Sequence, residues 1–177
     1  MIIERLGLAD ACVIRAEPVH DDRGSFARLF DRRTFADAGL CTDYPQRSVA
    51  YNRKRGIVRG LHFQTAGYVE IKTVRCLRGS VFDVIVDARP NSETFGTWVS
   101  RILEEDHLET LYVPAGFAHG YQSLSDRSEL EYAISADYVA GAASGIAWDD
   151  PDLAIPWPLR DEASLSERDR SLPRLRG

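Results

Sequence analysis

The chain has 177 residues, enough for one domain over residues 1–177 with a full hydrophobic core, and its formal charge of −5 provides no basic field that would favour nucleic acid. No apolar run approaches the roughly 20 residues that span a bilayer, which argues against a membrane partner, and the stretch MIIERLGLAD is too short and too charged for a signal peptide. Three cysteines, Cys12, Cys41 and Cys76, lack CxxC spacing, which argues against a disulfide framework and favours a reducing, cytoplasmic location.

Two segments have helical features. Residues 31–40 (DRRTFADAGL) offer Asp31 or Thr34 as an N-cap and Gly39 as the stop. Residues 162–172 carry acidic side chains early and arginines late, as the helix dipole prefers. We therefore expect only a few short helices in this chain.

The middle of the chain alternates in polarity, as strands do. Residues 70–77 and 80–88 flank an LRGS turn, which predicts two neighbouring strands, and Lys72 falls on the same face as Val74. The segments WVSRILEE, ETLYVP and SELEYAISADYV are typical of further short strands, and PAGFAHGYQSL begins with a Pro-x-Gly turn before another. Many short strands separated by Gly/Pro turns predict an all-β sandwich or barrel.

His62 lies in the apolar run GIVRGLHFQ, where it could be a metal ligand, a base or a packed core residue. A metal-binding barrel would normally add a second histidine two residues on, but that position is Gln64, so no metal is expected. Arg59 in the same run and Lys72 in the next strand favour a functional site, because an inward lysine is uncommon unless it is paired or functional.

Further candidates lie in the second half of the chain. His119 follows a rigid turn in VPAGFAHGY, where a histidine can simply be a turn residue. Tyr132 and Tyr138 are separated by an even interval, which on a strand puts both on one face, either for core packing or at a site. A histidine base, a lysine beside an enolate oxygen, a tyrosine acid and phosphate-binding arginines would suit proton abstraction next to a carbonyl of an anionic substrate.

The order of motifs over residues 3–173 resembles one family. DDRGSFARLF, GIVRGLHFQ, EIKTVRCLRGSVFDVIVDARPNSETFGTW, LYVPAGFAHGYQSLSD, GIAWDDPDLAIPWP and SERDRSLP resemble successive motifs of the dTDP-4-dehydrorhamnose 3,5-epimerases and their relatives. The resemblance implies a cupin-type jelly-roll β-sandwich, usually a homodimer, that works without metal or organic cofactor. It also implies a nucleotide-diphospho-4-keto-6-deoxy sugar as substrate. The 4-keto group acidifies the hydrogens at C3 and C5, so that one proton is removed and another returns from the opposite face.

Matched by motif position, the resemblance assigns roles to individual residues. His62 falls on the base, Asp169 on the carboxylate that orients it, Tyr132 on the proton donor and Lys72 on the lysine near the sugar ketone. A carboxylate on one imidazole nitrogen fixes the tautomer and raises the basicity of the other nitrogen. The substrate-binding positions are Arg23, Arg59, His119, Arg168 and Tyr138, the last being the aromatic that stacks on the nucleotide base.

The sequence departs from the family at the nucleotide end of the pocket. Arg28 and Ala143 stand where the family commonly has carboxylates. A carboxylate can accept a hydrogen bond from the thymine ring N–H, whereas a guanidinium only donates. Arg28 is therefore a substrate-binding candidate that would favour another base, such as cytosine. Alternatively, it turns to solvent or pairs with Asp31.

A second departure concerns register. The family has a Gln-x-Asn pair before the RGLH run, and a gapless match puts Arg47 and Val49 at that pair. A shift by one residue, through a bulge or another register, would instead present Gln46 and Ser48.

These observations favour an epimerase of deoxysugar biosynthesis that acts at C3 and/or C5, most simply on dTDP-4-dehydro-6-deoxyglucose. A mono-epimerase on a CDP- or other nucleotide-linked 4-keto sugar is the nearest alternative. A metal-dependent cupin enzyme and a non-catalytic nucleotide-sugar binding module are the other classes to be separated from it.

Overall fold

The structure is a computed structural model that describes residues 1–65 and 67–176, and its strands form two antiparallel sheets and a separate hairpin. With strands numbered in chain order, the six-stranded sheet runs β1 (Ile2–Arg5), β2 (Cys12–Arg15), β10 (Glu109–Val113), β7 (Lys72–Arg78), β12 (Ser128–Ile134) and β5 (Gln46–Asn52). The five-stranded sheet runs β13 (Ala143–Gly145), β6 (Val58–Gln64), β11 (Phe117–Ser123), β8 (Ser80–Asp87) and β9 (Trp98–Glu104). The hairpin pairs β3 (Val19–Asp21) with β4 (Gly24–Phe26).

The two sheets stack on a shared apolar core. Val74 and Leu130 contribute from the six-stranded sheet, and Val81, Ile85 and Leu103 contribute from the five-stranded sheet. Their side chains alternate along the strands with outward-facing residues, which is how an antiparallel sandwich buries one face of each sheet. The all-β prediction is therefore confirmed.

Smaller apolar clusters cover the outer faces of both sheets. Phe35, from helix α1 (Arg32–Asp37), packs with Ile14 and Tyr112 on the six-stranded sheet. Trp157 and Ile155, from the C-terminal segment, pack on the five-stranded sheet. The C-terminal segment is thereby laid across the back of the sheet that carries His62.

Both predicted helices exist, but they are short. Helix α1 begins after Asp31, whose carboxylate accepts the Thr34 N–H at 2.9 Å, and the chain leaves it through Gly39 at a φ of 73°. Of the predicted C-terminal segment 162–172, only helix α2 (Glu167–Arg170) is α-helical, and it is a single turn capped by Ser166. Three 3-10 turns complete the helical content of the described residues: Glu105–His107, Ala140–Ala142 and Arg160–Glu162.

The prediction that residues 70–77 and 80–88 form neighbouring strands is wrong in its pairing. Both strands exist as β7 and β8, but they belong to different sheets. Gly79 alone separates them, and one residue is too short for a hairpin loop, so the chain passes from one sheet to the other at this corner. The predicted inward face of β7 is nevertheless confirmed, since Lys72 and Val74 are both buried.

The even spacing of Tyr132 and Tyr138 predicted that one strand would carry both, but β12 ends at Ile134. Tyr132 lies within it, whereas Tyr138 follows in a loop. No helix within residues 1–65 and 67–176 has the length and apolar character needed to cross a membrane.

Candidate active site

A cavity of about 630 Å³ opens between the two sheets at one end of the sandwich. It brings together eight of the residues singled out in the sequence: Arg59, His62, Lys72, His119, Tyr132, Tyr138, Arg168 and Asp169. Arg23 and Arg28 do not line it. The cavity thus unites residues from both sheets and from the C-terminal segment.

A bulge in β6 puts Arg59 and His62 on the same side of the sheet. On β11, the partners of these residues are Tyr121 and His119, which are two residues apart, whereas Arg59 and His62 are three apart. The extra residue on β6 corrects the alternation that would otherwise place the two side chains on opposite faces. The guanidinium and the imidazole consequently share the cavity.

Two glycines allow the strands to approach at this bulge. A Cβ atom at Gly60, whose φ is 131°, would lie 2.5 Å from the Gly120 Cα atom and 2.9 Å from the His119 carbonyl oxygen. Only glycine fits such a contact without moving backbone. The RGLH and AHGY motifs therefore meet through their glycines, which sets His62 opposite His119.

His62 is paired with Asp169. The imidazole Nε2 lies 2.6 Å from Asp169 Oδ1. Because an ionised carboxylate only accepts, Nε2 carries the hydrogen and Nδ1 keeps the lone pair. The structure thus pairs His62 with Asp169 and leaves Nδ1 out of that contact.

The C-terminal segment is tied down on both sides of Asp169. Before helix α2, the Val58 N–H donates to the Ser164 carbonyl at 2.9 Å, and after it the Ala147 N–H donates to the Pro173 carbonyl at 2.7 Å. These backbone bonds deliver the carboxylate to an imidazole that is 107 positions away in the chain.

The surroundings of His62 keep its imidazole neutral. Burial lowers the pKa of His62 below its ordinary value of 6.5, Asp169 acts in the opposite direction, and the charges of Lys72 and Arg168 lower the pKa further. An unprotonated imidazole at neutral pH is the form that can accept a proton.

Tyr132 reaches the cavity from the opposite sheet. Burial, together with the neighbouring Tyr121 and Asp83, raises the pKa of Tyr132 well above that of a free phenol. The hydroxyl therefore keeps its proton at neutral pH and can donate it. The basic group and the acidic group thus face each other across the space between the sheets.

Lys72 shares the inner face of the six-stranded sheet with Tyr132. Its ammonium lies 2.8 Å from Glu70 Oε1, and both side chains are largely buried. Sequence reading predicted the inward lysine and missed its partner. The signal was present, because an inward lysine requires a counter-charge and Glu70 is the nearest acidic residue along the chain.

His119 forms a second histidine–carboxylate pair. Its Nε2 lies 2.9 and 3.0 Å from the two oxygens of Asp83. Burial raises the pKa of Asp83, while His119 acts to lower it. Sequence reading missed Asp83, although a carboxylate between Val81 and Ile85 on the inward row of β8 is unusual enough to have indicated a buried partner.

Asn52 holds two further side chains at the cavity wall. Its Oδ1 accepts from Arg59 Nε at 3.1 Å and from the Tyr121 hydroxyl at 3.0 Å. No carboxylate within salt-bridge distance neutralises Arg59 in the described part of the chain. Arg59 is therefore an oriented cation, as a phosphate-binding group should be.

The register of β5 decides between the two alternatives for the Gln-x-Asn position. Gln46 pairs with Ile134 and Ser48 pairs with Tyr132, so both face the cavity, and both line it. Arg47 points to the other face, where it contacts Glu131. The side chains that β5 turns toward the cavity are therefore those of Gln46 and Ser48, as the one-residue shift requires.

Arg23 and Arg28 are exposed and lie on the arm formed by β3, β4 and the following segment. Arg23 pairs with Asp21 across the hairpin turn. Arg28 Nη1 lies 3.3 Å from Asp31 Oδ2, which is the expected alternative of pairing with Asp31. Tyr138, by contrast, is at the cavity mouth with 59% of its surface exposed.

Across residues 1–65 and 67–176, no three His, Cys, Asp or Glu side chains converge as a metal ion would require. The arrangement has the groups of an enzyme that moves protons at a carbon next to a carbonyl: a neutral imidazole, a protonated phenol, and an ammonium to stabilise an enolate.

Comparison with known proteins gives the family. The sequence model of the dTDP-4-dehydrorhamnose 3,5-epimerases matches residues 5–177. The dTDP-4-dehydrorhamnose 3,5-epimerase of Sinorhizobium fredii is 41% identical, over 99% of this chain and 90% of that protein. The chain therefore belongs to this family, and its sandwich is the predicted cupin-like jelly roll.

Two solved structures are also similar. One is the Legionella pneumophila dTDP-6-deoxy-D-glucose-3,5-epimerase in complex with dTDP-4-keto-L-rhamnose, with a TM-score of 0.93 and 32% identity, over 99% of this chain and 93% of that one. The other is a 3'-monoepimerase from Streptomyces bikiniensis in complex with dTDP-quinovose, with a TM-score of 0.91 and 32% identity, over 98% of this chain and 87% of that one.

Proposed function

We propose that this chain epimerises C3 and C5 of dTDP-4-dehydro-6-deoxyglucose to give dTDP-4-dehydrorhamnose, with His62 as base and Tyr132 as acid. The observation that carries the proposal is their placement on opposite sheets, facing one cavity. Inversion at a carbon needs a base on one face of the sugar and a proton donor on the other. A binding module would need neither group.

The chemistry follows from the protonation states of the site. His62 Nδ1 takes the proton from C3 or C5, and the electron pair moves onto the C4 oxygen as an enolate. The Lys72 ammonium stabilises that oxygen. Tyr132 then gives its proton to the same carbon from the other face. Before the next step, His62 releases its proton to solvent and the Tyr132 phenolate takes one up.

Four other side chains would bind the substrate in the cavity. Arg59 and Arg168 line the cavity as cations and would take the diphosphate. Tyr138 at the mouth offers an exposed ring for the nucleotide base to stack on. His119, held by Asp83, faces the sugar between the two sheets.

Arg23 and Arg28 can meet this substrate only as part of a homodimer, in which one protomer's arm closes the partner's cavity. The arm presents Val19 and Phe26, which are 72% and 75% exposed in the single chain. Such exposed apolar side chains are typical of a surface that another chain covers. The role of both arginines in substrate binding rests on this homodimer.

In this proposal the nucleotide part of the substrate is dTDP. The Arg28–Asp31 contact gives Arg28 an acceptor within its own chain, so its presence does not by itself require cytosine. Both structural relatives described above are complexes with dTDP-linked sugars. The three free thiols agree with a cytoplasmic enzyme.

The test is hydrogen exchange in D₂O, followed by NMR, with the dTDP- and CDP-linked 4-keto-6-deoxyglucose in parallel. Exchange at both C3 and C5 of the dTDP sugar is expected. Exchange at one carbon alone would indicate a mono-epimerase, and exchange only with the CDP sugar would assign Arg28 to recognition of the nucleotide base. Binding without any exchange would favour the non-catalytic module. Loss of activity on chelation, restored by a transition metal, would favour the metal-dependent cupin.

A further inference from the structure

A second carboxylate, Glu70, lies inside the cavity beside the lysine. Its Oε1 is 2.8 Å from the Lys72 ammonium, and only 10% of either side chain is exposed. Its Oε2 accepts from Gln64 Nε2 at 3.1 Å. Both oxygens of the carboxylate are therefore engaged, one by a charge and one by an amide.

This ion pair restrains a flexible group. A lysine ammonium is a compact charge on a stem of four carbons, with three hydrogens that can point in many directions. One hydrogen directed at Glu70 leaves two for an oxygen in the cavity. The pair also supplies the counter-charge that a largely buried ammonium needs.

Gln64 anchors Glu70 from the opposite sheet. It is 3% exposed, and its Oε1 accepts the Val139 N–H at 2.8 Å. Its Nε2 also lies 3.2 Å from the Asp137 carbonyl oxygen, next to Tyr138. The loop that carries the stacking tyrosine and the carboxylate that holds the lysine therefore share one amide.

We propose that Glu70 is a positioning residue that holds the Lys72 ammonium against the C4 oxygen of the substrate, with Gln64 keeping Glu70 in place. The inference rests on the proposed function, because it presumes that an enolate forms at that oxygen. Removal of a C3 or a C5 proton gives the same C4 enolate oxygen. We therefore expect misplacement of the ammonium to slow both exchanges.

The experiment compares wild type with Glu70→Gln, which keeps the shape but removes the charge. We expect kcat to fall about 10- to 100-fold, with slower exchange at both C3 and C5. The KM and the affinity for dTDP alone should stay within about twofold, because the diphosphate and base contacts do not involve Glu70. Glu129→Gln is the matched control, since Glu129 lies on the outward face of β12.

A double-mutant cycle separates positioning through Lys72 from any other role. Lys72→Met and Glu70→Gln/Lys72→Met should exchange at the same slow rate, since Glu70 has nothing left to hold. The double variant also leaves no unpaired charge, so it remains informative if Glu70→Gln alone fails to fold. Glu70→Asp, which keeps the charge on a shorter stem, should recover part of the rate.

Two results would overturn the inference while wild type is active: wild-type kcat in Glu70→Gln, or a further loss when Glu70→Gln is added to Lys72→Met. Absence of exchange in wild type would instead remove the proposed function itself, so the two failures are distinguishable.

Discussion

Two histidine–carboxylate pairs face the same cavity and differ in how tightly they are enclosed. His62 meets one oxygen of Asp169, and 35% of the imidazole side chain remains exposed. His119 meets both oxygens of Asp83, and only 4% of it is exposed. The residue types are identical, but the first ring is far more open to the cavity than the second.

The difference shows what makes such a pair reactive. A base needs a free nitrogen, access to substrate and a pKa low enough to be unprotonated, and burial provides the last of these for His62. Asp83, fully enclosed with its pKa raised by burial, instead holds His119 in one orientation. The open pair suits proton transfer, and the closed pair suits fixed binding geometry.

The largest effect is expected from removing the open imidazole. His62→Ala should lower the rate of deuterium exchange at C3 and C5 by at least about 10³-fold, because His119, the other imidazole that lines the described cavity, is only 4% exposed and is held by Asp83. NMR of the substrate in D₂O measures it. His107→Ala, at an exposed histidine outside the cavity, is the control, and equal rates in both variants would reject His62 as the base.

The acid on the opposite sheet should separate exchange from inversion. In Tyr132→Phe, His62 can still remove a proton and return a deuteron to the same face, so exchange should persist. Formation of the epimerised product should fall about 10²- to 10³-fold. The NMR couplings of the sugar ring distinguish the two. Tyr51→Phe, at an exposed phenol on the edge strand, serves as the control. Undiminished inversion would remove Tyr132 from the acid role.

Replacing Asp169, the carboxylate of the open pair, should change both the rate and its pH dependence. Asp169→Asn should lower kcat/KM by about 10²-fold through loss of the correct tautomer. In wild type, the acid limb of kcat/KM should lie below pH 6.5, because the pKa of His62 is lowered. The carboxylate favours the protonated ring, so its loss should move that limb to still lower pH. A limb that stays in place, or moves up, would contradict this assignment.

The closed pair should affect stability more than rate. Asp83→Asn should reduce the free energy of unfolding by about 1–3 kcal/mol, since a buried charge-assisted hydrogen bond is weakened, and should change kcat less than tenfold. Asp169→Asn should show the reverse, with little change in urea unfolding. Asp106→Asn, at an exposed surface position, should change neither quantity. If Asp83→Asn instead behaved like Asp169→Asn, the contrast between the two pairs would fail.

Local patterns in the sequence determined the strands and helix α1 of this protein. Alternation marked the strands, with Lys72 on an inward face, because the period of a strand is set by its own backbone. The Asp31 cap and the Gly39 stop marked α1 for the same local reason. The resemblance over nearly the whole chain supplied the family and the roles expected of His62 and Tyr132.

Tertiary structure decided what local patterns do not encode. The joining of His62 and Asp169 depends on backbone hydrogen bonds between segments that are remote in sequence. The bulge opposite Gly120 changes which side chains share a face, and the corner at Gly79 sends consecutive strands to different sheets. Glu70 becomes the counter-charge of Lys72 only because the lysine side chain points into the cavity beside it. The His62–Asp169 pair and the bulge both depend on contacts between segments that are remote in sequence, and such contacts are specified by the packing of the whole chain rather than by the order of neighbouring residues.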